Sequence, residues 1–285
     1  MEKKYTIIPN EYILGENKLE SNKLFLLMIL LQGKSSKDIC FLSIKYLCKR
    51  LNTNTGNTNR TKYIIDTLKY FQDKQIFFFS DSCHCNNEIN IEQETQKDKT
   101  DIFFGEVYTK IDEKFTIIYD EEIDNILELC KQQKIDKYNI IHLYLYILSF
   151  INNNEQDELY KLCYPSIETI SNALQLSEYT ILKYIKALKD SNILYYDSIG
   201  YKIVNGEYRM TNTYYSRMEH KDKLDYFINN KRQDKGIIPM NTNDKNTTNM
   251  KRSLKQKINK LIKKENKTEK EIIKLKSLQE QYEKL

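Results

Sequence analysis

Tryptophan is absent from the chain, and 285 residues contain only three prolines, seven glycines and three histidines. So few turn-makers exclude collagen-like, propeller and sandwich architectures, which need frequent tight turns. No apolar run approaches the roughly 18 residues that would cross a bilayer. The longest, Leu24–Leu31, has the length of a core helix segment. The opening Met1-Glu2-Lys3-Lys4 lacks the apolar core and small-residue cleavage site of a secretory signal, so a cytoplasmic location is expected.

Catalytic signatures are missing too. There is no Gly-x-x-x-x-Gly-Lys-Ser/Thr loop to cradle a nucleotide phosphate and no Gly-x-Ser-x-Gly elbow. His84, His142 and His220 are scattered, without the His-x-His pair that relaxase nucleases use for metal. Cysteines 40, 48, 83, 85, 130 and 163 mostly sit in apolar or helical patterns, as small hydrophobes rather than a disulfide framework. Cys83-His84-Cys85 has no second Cys/His pair at zinc spacing. The expectation is a protein with no catalytic residues, no metal and no cofactor. His142, inside an apolar helical stretch, reads as a core or boundary histidine.

What the chain does have is 22 tyrosines, 11 phenylalanines, 40% hydrophobic and 30% charged residues, enough to build two mainly helical domains. Charge is segregated. Residues 251–285 carry a net +7 and residues 42–75 a net +5, whereas residues 80–128 carry a net −10. Such separation points to a polyanionic partner met by particular surfaces.

The sequence also repeats itself. Tyr5-Thr6-Ile7-Ile8 recurs as Phe115-Thr116-Ile117-Ile118. Phe41-x-Ser43-Ile44 with Leu47 and Leu51 recurs as Tyr164-x-Ser166-Ile167 with Ile170 and Leu174. Ile64, Ile65, Leu68, Phe71, Ile76 and Phe77 match Ile181, Leu182, Ile185, Leu188, Ile193 and Leu194 at a constant offset of 117, with six extra residues in the first copy before them.

Each copy reads as three helices and a hairpin. In the second, Asp136–Ile151 is a strongly apolar helix, and Ser166 caps a short helix running to Leu174. After a turn at Gln175-Leu176, Ser177 caps a helix to about Lys189 with the inward stripe Ile181, Leu182, Ile185 and Leu188. Ile193–Tyr196 and Tyr201–Val204 then form a hairpin around Asp197–Gly200, followed by a third strand, Glu207–Tyr215. That is the element order of a winged helix. The expected fold class is mainly α with small β-hairpins (α+β), as two tandem winged-helix domains plus a C-terminal basic helix. Residues 1–113 make the first domain, with 80–113 an acidic hairpin or linker region. Residues 114–218 make the second, 219–250 a linker and 251–285 a basic helical tail.

In a helix-turn-helix the second helix enters the major groove. At about 100° per residue, the second copy turns Tyr179, Thr180, Lys183, Lys186 and Ala187 outward. Lysines suit phosphates or guanine edges, a threonine hydroxyl a base or phosphate oxygen, and an alanine methyl a thymine methyl. The wing offers Tyr201 and Lys202, and the returning strand Arg209 and Arg217, for backbone or minor groove. The first copy presents Lys62, Tyr63, Asp66 and Lys69 instead, with a carboxylate where the second has Lys183. It is expected to add electrostatic grip through Lys45, Lys49, Arg50, Arg60 and Lys62, or to serve a protein interface. The very apolar Leu24–Leu31 helix prompts a homodimer formed through this copy.

With Ile7-Ile8-Pro9-Asn10-Glu11 before an apolar helix, and Arg209-Met210-Thr211-Asn212-Thr213-Tyr214-Tyr215 after the wing, residues 5–217 resemble the tandem winged-helix replication initiators of bacterial plasmids and related phage proteins. The resemblance implies double-stranded DNA at repeated origin sites as partner, a monomer–dimer balance and recruitment of host replication proteins. A winged-helix transcriptional regulator, or a winged-helix protein-interaction or segregation adaptor, uses the same surfaces. In residues 251–285, Leu254, Ile258, Leu261, Ile272, Leu275 and Tyr282 fall at coiled-coil spacing interrupted by Glu265, Thr268 and Gln279, so the tail is expected to lie along phosphates or an acidic partner rather than pair strongly.

Overall fold

The computed structural model describes residues 3–34, 39–53, 56–82, 87–91, 101–107, 114–204, 207–233, 237–238, 258, 262 and 275–280; for 201–204, 207–210 and 237–238 it describes the backbone alone. It is a mixed α and β protein with small antiparallel sheets. The chain divides into two compact units. The first comprises residues 1–196 and 214–224, the second residues 197–213 and 225–285.

The first unit opens with β1 (Tyr5–Pro9), α1 (Ser21–Gln32), β2 (Ile39–Leu42), α2 (Ile44–Arg50), α3 (Thr58–Asp73), β3 (Phe77–Ser80) and β4 (Phe103–Val107). The chain then begins the pattern again. It runs through β5 (Phe115–Tyr119), α4 (Asp120–Gln133), α5 (Lys137–Leu148), α6 (Ile167–Leu174), α7 (Glu178–Asp190) and β6 (Leu194–Ser198), and returns in β9 (Thr213–Arg217).

The helix starts follow from side chains that accept from orphan backbone amides. Ser43 accepts from the Tyr46 amide at 3.1 Å, and Ser166, its repeat equivalent, from the Thr169 amide at 3.0 Å. Asn57 and Ser177 do the same for α3 and α7. The turn after each short helix needs a left-handed residue. Asn52 (φ 52°) and Gln175 (φ 54°) supply it at equivalent positions, as do Gln75 (φ 53°) and Asn192 (φ 55°) after the long helices.

Sheet order repeats as well. In the first copy it is β2-β4-β3. In the second, β9 pairs with β6, while Cys163 forms an antiparallel bridge to Tyr215 on β9, where β2 pairs with β4 in the first copy. Phe71, Phe77, Phe79 and Phe103 pack in sequence behind the first sheet, with ring centroids 5.8 to 6.3 Å apart. At Gly105 beside them a Cβ would lie 3.1 Å from Leu42 and 3.2 Å from Phe79, so a larger residue would have to push these side chains aside.

The expected boundary at 113/114 runs through one compact unit. β1 pairs antiparallel with β5, setting Ile7 opposite Ile117, and α1 packs on α5. Every residue from Leu24 to Leu31 and from Ile140 to Leu148 is buried, so both helices are apolar all round and lie in one core shared by the copies. This also removes the ground for a homodimer through Leu24–Leu31, because that helix is consumed inside the chain.

Two further expectations are corrected. Ile193–Tyr196 and Tyr201–Val204 do not form a hairpin together: β6 pairs with β9, whereas β7 (Tyr201–Val204) pairs with β8 (Glu207–Met210) and with β10 (Ile237–Ile238). The expected third strand is interrupted, because Gly200 takes φ 137° and its carbonyl accepts from both the amide and the hydroxyl of Thr211 at 2.8 Å. Within the expected linker 219–250 lies α8 (Lys221–Arg232), whose Leu224, Phe227 and Ile228 are buried at the spacing of an amphipathic helix. Arg232 donates to Asp197, Ser198 and Ile199, at 3.0, 2.8 and 3.1 Å, tying down the start of the second unit.

Candidate nucleic-acid interface

Helix α7 is held by Ile181, Tyr184, Ile185 and Leu188, all buried. Its opposite side presents Tyr179, 79% exposed, together with exposed Lys183 and Lys186. These three expected groove residues are brought together on one solvent face. Lys186 is paired with Asp190 one turn on, which raises its pKa. Both partners are exposed, so the pair is weak. Thr180 is half-buried, and its hydroxyl lies 2.8 Å from the Ser177 hydroxyl, within the cap of the helix.

Ala187 does not belong to this face. It is 5% exposed, whereas Leu182, expected inward, is 53% exposed. The two lie on opposite shoulders of the helix. The alanine methyl is too short to emerge past buried Tyr184 and Leu188, while the leucine reaches solvent. Leu182 is therefore an exposed residue of α7 that stripe-matching to the first copy concealed.

Arg217, expected to face the groove, is largely buried. Its side chain is 11% exposed, paired with Glu122, donating to the Ile117 carbonyl and lying 4.8 Å from the centre of the Tyr119 ring. Glu122 receives the Tyr144 hydroxyl at 2.5 Å and the Tyr119 amide at 3.0 Å. This buried network ties β9, α4, α5 and β5 together. Tyr201, Lys202 and Arg209, expected in a wing, lie on β7 and β8, where Lys202 is opposite Arg209 in register; their side chains fall outside the described residues.

In the first copy, Lys45 and Lys49 are exposed on α2, and Arg60 and Lys62 on the first turns of α3. Arg50 is half-buried and donates to Gln32 at the end of α1, which commits it to holding α2 in place. Arg60 also lines a cleft of about 300 Å³ with Asn22, Leu26, Tyr63 and Tyr138. Beside it, Lys137 donates to the Leu51 carbonyl at 2.6 Å, and burial and then the Arg60 charge lower its pKa. Asp66 is exposed, so the first copy does present a carboxylate where the second presents Lys183.

His142 is a core histidine, 3% exposed, with Nδ1 2.9 Å from the Ser21 hydroxyl. Among the described residues no group of His, Cys, Asp and Glu could hold a metal ion, and no helix is long and apolar enough to cross a membrane. Cys83-His84-Cys85 and most of the basic tail lie outside the described residues. No family model matches the chain, and no match to a curated protein is found.

Proposed function

We propose that the chain binds double-stranded DNA in a sequence-specific way through two winged-helix copies, and that it acts as a replication initiator at repeated origin sites. The observation that carries the DNA reading is the second copy's α6–turn–α7 unit, which turns Tyr179, Lys183 and Lys186 to solvent from a helix held rigidly by its buried side. The order helix, strand, helix, helix, strand, strand in the first copy, with the returning strand central in its sheet, supports a winged helix. The second copy supports it with the Cys163–Tyr215 bridge in place of the first strand.

In this reading α7 enters the major groove, the lysines meet phosphates and base edges, and the first copy adds nonspecific grip through Lys45, Lys49, Arg60 and Lys62. The initiator role rests on the resemblance of residues 5–217 to plasmid and phage initiators. The test is selection of duplexes from a random pool with the full chain, followed by footprinting on DNA of its source replicon. Enrichment of one motif, repeated at an origin, is the expected result. Enrichment of a motif found only at promoters would make it a regulator instead, and failure to enrich any motif would remove the DNA reading.

A further inference from the structure

Among the exposed groups of α7 are two large apolar side chains one turn apart, Tyr179 at 79% and Leu182 at 53% exposure. Tyr179 lies on the lysine face and Leu182 at its border. Single exposed hydrophobics are ordinary on any surface. The repeat makes this pair informative. At the offset of 117, Leu182 corresponds to Ile65, which is half-buried and packed against the core, and Tyr179 corresponds to Lys62. One copy thus turns its aliphatic side chain to the core at this register, and the other holds it in water beside Lys183.

A major groove offers one kind of apolar feature to such a side chain, the 5-methyl group of thymine. We infer that Leu182 reads a thymine methyl, and that the preferred duplex carries a thymine where this residue docks. The inference rests on the DNA-binding reading above and names the base chemistry of that same site. Lys183, next along the helix, supplies charge and fixes depth in the groove, while the leucine supplies discrimination that a lysine to phosphate cannot give. Enclosing one methyl group between base and leucine is worth about fourfold in affinity.

The experiment takes the motif enriched from a random pool by the full chain and replaces its thymines one at a time with deoxyuridine, which removes only the methyl. Gel-shift titration then compares wild type with Leu182→Ala, a substitution at an exposed site that leaves the buried side of α7 intact. Wild type should lose about three- to fivefold at one or two thymines, and Leu182→Ala should be indifferent at those positions. Lys183→Ala should bind more weakly but keep the penalty. An enriched motif with no deoxyuridine penalty in wild type, or a penalty undiminished in Leu182→Ala, overturns the inference and leaves the Tyr179–Leu182 pair to a protein partner. If no motif is enriched, the DNA reading itself has failed, and this inference fails with it.

Discussion

Ile7 and Ile117 stand directly opposite each other in an antiparallel strand pair, and they are also equivalent positions of the internal repeat. A residue can pair with its own repeat equivalent only where a local two-fold axis passes between the strands. The neighbouring pairs obey it: Thr6 faces Ile118 and Ile8 faces Thr116, all four buried. The same relation joins α1 to α5, each of 12 residues at matching places in its copy. The two copies associate as the halves of an isologous dimer do, within one chain.

Residues 1–113 produced alone should therefore not fold stably. Without α5 and β5, the apolar Leu24–Leu31 stretch of α1 and one edge of β1 would face water. Circular dichroism and size exclusion should show an unfolded or aggregating fragment; a monomer with cooperative thermal unfolding would contradict this. In the full chain, Leu27→Ala should cost about 2–5 kcal/mol of stability, since the removed methyls leave a cavity at the shared core.

His142 should make stability depend on pH. Burial, and then the Lys18 charge, lower its pKa to about 4 from 6.5. The unfolded chain therefore binds a proton between these values that the folded chain refuses, so the contribution is complete above pH 6.5 and is lost as pH falls towards 4. The size is about 3 kcal/mol. Urea denaturation between pH 7 and 4 should show this slope, and His142→Leu should flatten it.

Arg217→Met should destabilise the fold by about 3–5 kcal/mol, because it strands Glu122 in a largely buried site. Adding Glu122→Leu should recover much of that loss. A double variant as unstable as the sum of the singles, measured by chemical denaturation, would show that the two residues act independently.

On α7, Lys183→Ala should weaken duplex binding, and it should reduce the slope of log affinity against log salt by about one if the contact is a phosphate. Asp190→Asn should act oppositely. It frees Lys186 and removes a carboxylate from the face proposed to dock, so affinity for all duplexes should rise a few-fold without a change in preferred sequence. Filter binding across a salt series reads both.

Local chemistry carried most of what could be read ahead of the structure. Ser43, Ser166 and Ser177 are caps because a hydroxyl there answers an amide three residues on, a relation visible in sequence spacing. The face of α7 was legible to within its shoulders, and there side-chain length, not angle, decides that Ala187 is covered and Leu182 is not. Pairing over long distance was not legible. β6 takes β9 rather than β7, and β1 takes β5, because those partners complete a core whose other walls lie far along the chain. Arg217 looked like a groove contact for the same reason, since its partner Glu122 is 95 residues away.

The strand pair of β1 and β5 has a consequence for how the molecule behaves when it is scarce. Two separate subunits part when diluted below their dissociation constant, whereas halves joined by one backbone keep a fixed, high effective concentration of each other. The spacing between α3 and α7 does not wait on a second molecule being found. One chain carries both helices, and dilution leaves their arrangement unchanged.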